Sequence, residues 1–312
     1  MDMSERAHSP PDLRGEMRLD EPMSRHVSWR AGGRAKVFYQ PADVLDLAAF
    51  LRSRSREEPV LFVGLGSNLL VRDGGFAGSI VFTHHALIGI EVENEVATPR
   101  GTLAFRAGCG VPAPHLARFV AKHGGAGAEW MAGVPGTVGG ALAMNAGCYG
   151  GETWNHVIAV ETVDRAGTLR HREPSDYEIG YRHVLSKHRA AEEWFVSGVF
   201  GFQPGEEKAA MRRIKELLQK RVASQPLNLP NAGSVFRNPP GDHAARLIEA
   251  AGLKGYTVGG AQVSPKHANF IVNIEGASAA DIEAVIDHVH ATVLAKAGVD
   301  LVREVRIVGG RA

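Results

Sequence analysis

The sequence predicts a mixed α+β protein of about two domains, and three observations carry that prediction. Its 312 residues exceed the usual size of one domain. Helical apolar stripes alternate with short apolar runs that end in glycine turns. Glycine totals 37 residues, and the excess sits in a few runs instead of being spread along the chain. Lys and Arg number 35 against 34 Asp and Glu, so no global field draws the chain to nucleic acid or to an anionic membrane. The first 25 residues have no apolar signal core, and no stretch approaches the ~18 uncharged apolar residues of a membrane span. A soluble cytoplasmic protein is expected.

Taken in order, residues 1–25 read as a polar tail. PADVLDLAAFLRSRSREE, from Pro41, carries Val44, Leu45, Ala48 and Leu51 at helical spacing. The apolar run 60–63, the turn GLGSN (64–68) and the apolar run 79–82 follow, a strand, turn, strand order that closes one small α/β lobe. A helix over 112–123 buries Leu116, Phe119 and Val120 and leads into a glycine-rich block. Short β-like runs over 156–203 complete a second lobe. The helix at 204–221, with Met211, Ile214 and Leu218 on one stripe, marks a domain boundary. Beyond it come a helix ended by Gly252, a strand HANFIVNI, a helix opened by the capping box Ser278 and Asp281, and a closing strand LVREVRIVG.

Both glycine runs suit a ligand that the backbone must approach closely. GLGSN follows a strand, as a phosphate-binding turn does, yet it is not G-x-G-x-x-G and no helix follows, so a Rossmann site is not supported and a simple tight turn would use the same letters. AGVPGTVGGALAMNAGCYG has too many glycines for a helix interior and too few polar residues for a solvated loop. Close approach to a flat or phosphorylated ligand accounts for it, with Thr137 and Asn145 as side-chain hydrogen-bond donors or acceptors; tight packing on the core would account for it too. Asp73 and Glu129 flank these runs without an evident role. Cys109 and Cys148 form no metal or disulfide pattern and read as apolar fillers. The 14 histidines give no ligand spacing, so no metal is expected.

Six segments in order, VGLGSNLLVRDGGFAGSIV, GAEWMAGVPGTVGGALAMNAGCYG, EIGYR, NAGSVFRNP, GLKGYTVGGAQVSPKHANFIVN and EVRIVG, resemble the UDP-N-acetylenolpyruvoylglucosamine reductase (MurB) family over about residues 26–309. The resemblance implies an α+β protein with an FAD-binding fold of the PCMH or vanillyl-alcohol-oxidase type at 26–203, in lobes of about 26–85 and 86–203, and a C-terminal α/β substrate-binding domain at 204–312. It implies non-covalent FAD, NADPH as reductant and a UDP-sugar substrate. It also implies a cytoplasmic monomer making peptidoglycan precursors, hence a part in cell-wall growth, cell shape and division. Gly64, Leu65, Gly66, Ser67, Asn68 and Leu69, then Gly133, Val134, Pro135, Gly136, Thr137, Gly139 and Gly140, with Asn145, Ala146 and Gly147, carry over as FAD contacts.

The family reaction places hydride on the terminal alkene carbon of an enolpyruvyl ether and a proton on its neighbour, while charge grows on the substrate carboxylate. By resemblance, Arg182 meets that carboxylate, Ser234 donates the proton and Glu304 is the acid/base partner at the enol. Tyr181, Arg237, Asn238, Lys266 and His267 are substrate contacts. A fork-shaped permanent cation suits a growing carboxylate charge. A serine is a poor acid unless a cation such as Arg237, Lys266 or His267 stabilises its alkoxide. Period-two alternation along the last strand would put 302, 304, 306 and 308 on one face. The family often has a serine and a small or acidic residue soon after the arginine, whereas this chain reads YRHVLSK. The segment before residue 204 has no room for an inserted tyrosine loop, so the shorter family type is expected. The alternatives are an FAD-dependent oxidase of the same fold, and a non-catalytic flavin or sugar-nucleotide module that would not need Arg182, Ser234 and Glu304 together.

Overall fold

The computed structural model describes residues 13–96, 98, 101–188 and 192–312. Six α-helices are present among them: α1 (Val44–Arg52), α2 (Ala113–Lys122), α3 (Val138–Met144), α4 (Glu207–Ser224), α5 (Ala244–Ala250) and α6 (Ala279–Ala297). The chain divides into two compact units. The first takes 13–19, Phe38–Gly64 and Ser79–Lys220, and the second Asp20–Val37, Leu65–Gly78 and Arg221–Ala312.

In the first unit, Val60–Val63 pairs in parallel with Ser79–Phe82, from Val60 opposite Ser79 to Val63 opposite Phe82. A larger antiparallel sheet has the spatial order Leu169–Arg172, Val157–Asp164, Glu193–Pro204, Leu103–Gly108, Ile90–Glu93. One core gathers Phe105, Phe200 and Phe202 from its central strands with Leu116 and Val120 of α2, Val138 and Leu142 of α3, and Ala210 and Ile214 of α4. Each of these except Ala210 contributes about 1.5–3 kcal/mol by leaving water. Asp43 caps α1 by accepting from the Asp46 N–H, while α2 starts directly after Pro112, whose missing N–H costs nothing at a helix start.

The second unit is built around α6. Ser278 and Asp281 form the expected reciprocal cap, Gly298 ends the helix at φ 66°, and Ile282, Val285, Ile286, Val289 and Val293 are all buried. They pack with α5, the strands Ala261–Val263 and Ile271–Asn273, and Trp29 and Leu70. Trp29 is fully buried, and its indole N–H donates to the Ile271 carbonyl at 2.8 Å. Asp73 now has a role: its carboxylate accepts from the N–H groups of Ala279 and Ala280 at 3.0 and 2.8 Å, at the positive end of α6. Glu129 is local, accepting from the Gly127 N–H.

Several sequence expectations change. Of the expected polar tail, residues 1–12 lie outside the described residues, but Glu16–Pro22 is a strand with Met17 and Glu21 turned inward. Glu21 is accommodated by His26, 2.8 Å away. A single boundary at 203/204 does not describe the units. Leu70 and Trp29 belong to the core of the C-terminal segment, while α4 buries Ala210 and Ile214 with the larger sheet. The closing strand is short, Arg306–Val308, and pairs in parallel with Leu69–Val71. Just before it, the Val235 carbonyl accepts from both Glu304 N–H (2.8 Å) and Val305 N–H (3.4 Å). Two donors on one acceptor break the period-two alternation, so residues 302 to 308 do not share a face and Val302 is 56% exposed.

Candidate active site

The first glycine turn has the properties of a nest for an anion. Its N–H groups at Leu65, Gly66, Ser67 and Asn68 find no acceptor among the described residues, although the turn is largely shielded from solvent. Gly66 is left-handed at φ 59°, and a Cβ there would lie 2.3 Å from the His26 carbonyl oxygen. Successive N–H groups around a left-handed residue converge on one point, which suits a phosphate. The Asn68 side-chain amide donates to the Glu304 carbonyl at 3.1 Å, and its main-chain carbonyl accepts from the Arg306 N–H. The turn is thereby stitched to the backbone that carries Glu304.

The second glycine run meets the end of the first. A Cβ on Gly64 would be 2.3 Å from Thr137 Oγ1, so only glycine fits. Thr137 is buried and caps α3, and the first N–H groups of that helix are spent within the protein: Val138 on the Val111 carbonyl, Gly139 on the Cys109 carbonyl and Gly140 on Thr137 Oγ1. The loop 108–111, which sequence reasoning passed over, is therefore the floor of this run; the close pair Gly108 and Gly110 was its only signal. Cys109 in that loop is buried, and burial pushes its thiol up to about 12, which fits an apolar filler. Asn145 corrects an expectation. Its side chain has both amide hydrogens engaged, to Glu152 Oε2 and the Gly180 carbonyl, and its oxygen accepts from the Trp154 N–H. No side-chain donor is left for a flavin; what Asn145 supplies is a left-handed end to α3 at φ 41°.

Arg182 is brought to this same run. It stands at φ 54° in the turn between the hairpin strands Tyr177–Gly180 and His183–Ser186. Its two terminal nitrogens donate to the carbonyls of Asn145 (3.2 Å) and Gly147 (2.8 Å). The exposed Tyr181 ring lies under the guanidinium at 4.9 Å, a cation–π contact. The hairpin ends at Ser186 and the next strand begins at Glu193, so the connection is short.

In the second unit, Ser234 and Glu304 are brought together through the backbone. Asn231 fixes the approach: its oxygen accepts from the Gly233 N–H, and its amide donates to the carbonyls of Pro226 and Leu229. Beyond Ser234, the Val235 carbonyl accepts from Glu304 N–H and the Arg237 N–H donates to the Val302 carbonyl. Ser234 is half-buried, and its hydroxyl has no hydrogen-bond partner among the described residues. Sequence reasoning missed Asn269, whose side chain grips Phe236; a lone Asn inside the apolar run NFIVN was the available signal.

The basic candidates separate. Lys266 is exposed and its ammonium donates to the Val222 carbonyl near the end of α4, so it serves as a helix C-terminal cation. Burial pushes the His267 imidazole below its ordinary value, so it is neutral at physiological pH, and its buried Nδ1 has no partner among the described residues. Arg237 Nε is likewise buried with no partner among the described residues. Trp130 Nε1 and Arg165 Nε are buried without a partner among the described residues too, but His267 and Arg237 stand out because they lie on neighbouring segments, and such groups call for a water or a ligand atom. Asn238 is exposed, and its side-chain oxygen accepts from the Ala244 N–H at the start of α5. No group of metal-ligating side chains occurs among the described residues.

Comparison with known proteins bears on these arrangements. A family model described as an FAD binding domain matches residues 35–172, and one described as the C-terminal domain of UDP-N-acetylenolpyruvoylglucosamine reductase matches residues 225–308. A UDP-N-acetylenolpyruvoylglucosamine reductase of Thiobacillus denitrificans is 56% identical over 307 residues, spanning 96% of this chain and 94% of that protein. The chain belongs to the UDP-N-acetylenolpyruvoylglucosamine reductase (MurB) family. A second reductase, from Nitrosospira multiformis, is 54% identical over 330 residues and spans 99% of the chain and 94% of that protein. The crystal structure of the Thermus caldophilus MurB superposes with a TM-score of 0.75 at 28% identity, covering 95% and 99% of the two chains. The 6-hydroxy-D-nicotine oxidase of Arthrobacter nicotinovorans shares the fold alone, at a TM-score of 0.53 and 14% identity over 94% of this chain and 88% of that one. As a MurB, the chain is an FAD-containing oxidoreductase of PCMH-type fold with an added C-terminal domain. Two features, each taken within its own unit, fit that cofactor: the turn at 65–68 is lined with N–H donors suited to phosphate, and Gly64 and Gly139 have no room for a side chain.

Proposed function

We propose that the chain reduces UDP-N-acetylglucosamine enolpyruvate to UDP-N-acetylmuramate with NADPH, as a monomer in a bacterial cytoplasm, supplying peptidoglycan synthesis. Bound FAD would accept two electrons from NADPH and supply them as hydride to the terminal alkene carbon. Gly64 to Leu69, Gly133 to Gly140 and Asn145 to Gly147 would hold it, chiefly through backbone. The observation that carries the reading is the pairing of the Ser234 strip with the Glu304 backbone in a chain of MurB descent.

The residues then have distinct tasks. Arg182 would stabilise the substrate carboxylate as its charge grows, its side chain already directed by the Asn145 and Gly147 carbonyls. The Ser234 hydroxyl, with no hydrogen-bond partner among the described residues, would give its proton to the carbon next to the carboxylate. Of the three cations first considered for stabilising its alkoxide, Lys266 is committed to a helix end and His267 is neutral. Arg237 remains, and we assign it that task. Glu304 would serve the enol, and Tyr181, Asn238 and His267 the sugar nucleotide.

Ser234→Ala tests the reading. Reduction of bound flavin by NADPH should stay within about twofold, while reoxidation by the enolpyruvyl substrate should fall by at least about 100-fold, the range of a lost general acid. Unchanged reoxidation would sink the proton-donor role. An oxidase of the same fold would instead be reoxidised by oxygen without that substrate.

A further inference from the structure

We infer that Asn269 is the positioning residue of the proton-delivering strip 234–237, a role that rests on the reductase reading above. Asn269 is 4% exposed and lies in the apolar segment ahead of the strand Ile271–Asn273. Its side-chain oxygen accepts from the Phe236 N–H at 3.0 Å, and its amide nitrogen donates to the Phe236 carbonyl at 2.8 Å. Its own carbonyl accepts from the Val235 N–H at 2.9 Å.

From Val235 N–H to Arg237 N–H there are five consecutive backbone polar groups. Asn269 satisfies Val235 N–H, Phe236 N–H and the Phe236 carbonyl; Glu304 N–H takes the Val235 carbonyl and the Val302 carbonyl takes Arg237 N–H. One residue, with its side chain on Phe236 and its own carbonyl on Val235, thus does the work of a neighbouring strand on one edge, while the segment of Glu304 occupies the other. Only a primary amide offers a donor and an acceptor side by side in that span. Gln is longer by a methylene, and no other side chain of this length carries both at neutral pH.

The consequence reaches Ser234 because it lies between two pinned points. Asn231 holds Gly233 on one side and Asn269 holds Val235 and Phe236 on the other. Asn269 also shares its segment with His267, whose N–H is held by Ser264 Oγ at 3.3 Å. It therefore fixes the strip against the segment that bears one of the two orphaned nitrogens, and Arg237, which bears the other, follows directly on Phe236. Proton transfer to carbon is sensitive to displacements of about 1 Å, which cost on the order of 100-fold in rate.

Asn269→Asp is nearly isosteric and tests this. The ionised carboxylate still accepts from Phe236 N–H but faces the Phe236 carbonyl with no hydrogen to give; protonation restores an O–H donor there. At about pH 8, the peptide covering 234–237 should lose amide-exchange protection. Substrate-driven flavin reoxidation should fall by at least about tenfold, with reduction by NADPH within about twofold. Burial raises a carboxyl's pKa above its ordinary value of about 4, and as pH is lowered through that raised value both should return toward wild type. His267, Arg237, Arg303 and Glu304 titrate or carry charge around the clamp in both proteins, so the wild-type profile run in parallel removes them. Asn269→Leu, which has neither group at any pH, should stay impaired throughout. Bound-FAD absorbance restricts every rate to folded protein. Unchanged exchange in the Asp variant would overturn the clamp. Lost protection with normal reoxidation would overturn its part in proton delivery, as would an Asp variant no better than Leu at any pH. A wild type that the enolpyruvyl substrate cannot reoxidise would overturn the reductase reading itself, and the exchange result would still decide the clamp.

Discussion

Replacing Gly64 by alanine should break the meeting point of the two glycine runs. The added methyl would sit 2.3 Å from Thr137 Oγ1, 2.8 Å from its Cγ2 and 3.1 Å from its Cβ. Thr137 cannot swing away freely, because it is buried and caps α3 through Oγ1. Overpacking of this kind costs about 1–3 kcal/mol. If the strain falls on the cradle, FAD affinity drops by roughly 5- to 150-fold. Deflavinated protein titrated with FAD, read by quenching of flavin fluorescence, measures it directly. Thr137→Ala alone should cost about 1 kcal/mol through the lost cap. Combined with Gly64→Ala it should recover most of the affinity, since all atoms beyond Cβ are gone. Two results would refute the reasoning: a Gly64→Ala protein that binds FAD within twofold of wild type, or a double variant whose losses simply add.

Other expectations follow from the same geometry. Arg182→Lys keeps the charge but can reach only one of the two carbonyls now held at 3.2 and 2.8 Å. Losing one charge-assisted bond of about 1.5–3 kcal/mol should slow reoxidation by roughly 10- to 150-fold in stopped-flow traces; an unchanged rate would remove Arg182 from the reaction. Glu283 receives a two-pronged contact from Arg72, both bonds at 2.8 Å, and Arg72 with Arg311 holds its carboxyl below the ordinary range against the opposing effect of burial. A depressed folded value means stability that is full above the unfolded pKa of about 4.3 and lost as pH falls through the folded value. Glu283→Gln should therefore lower the melting temperature at neutral pH, by about 1–3 kcal/mol of stability, and the gap to wild type should close in acid. A gap that persists there would show that the pair's charge is not its contribution.

Elements whose signals lie within one segment could be read directly from the chain. The cap and stripe of α6 rest on Ser278, Asp281 and the five apolar positions that are all buried, and α2 falls where its periodicity put it. The edges of elements were harder. The expected helix from Pro41 ends at Arg52, and the closing strand is cut short because Val235 takes two donors. Neither limit is visible without knowing which partner arrives.

The sequence by itself determined the residue kinds at the site and, through six ordered segments, the family that uses them. Glycines where a backbone must come close, a forked cation, a hydroxyl and a carboxylate are chemical requirements, and chemistry is written in residue types. Tertiary structure decided which of them are at liberty to act. The Asn145 side chain looks like a ligand contact until both its amide hydrogens are found on Glu152 and the Gly180 carbonyl. Lys266 looks like a candidate cation until it is found on the Val222 carbonyl. Asn269 passes for a blemish in an apolar run until its amide is found holding Phe236, 33 positions away. A polar side chain has few hydrogen-bonding groups, and only the folded chain shows where each is spent.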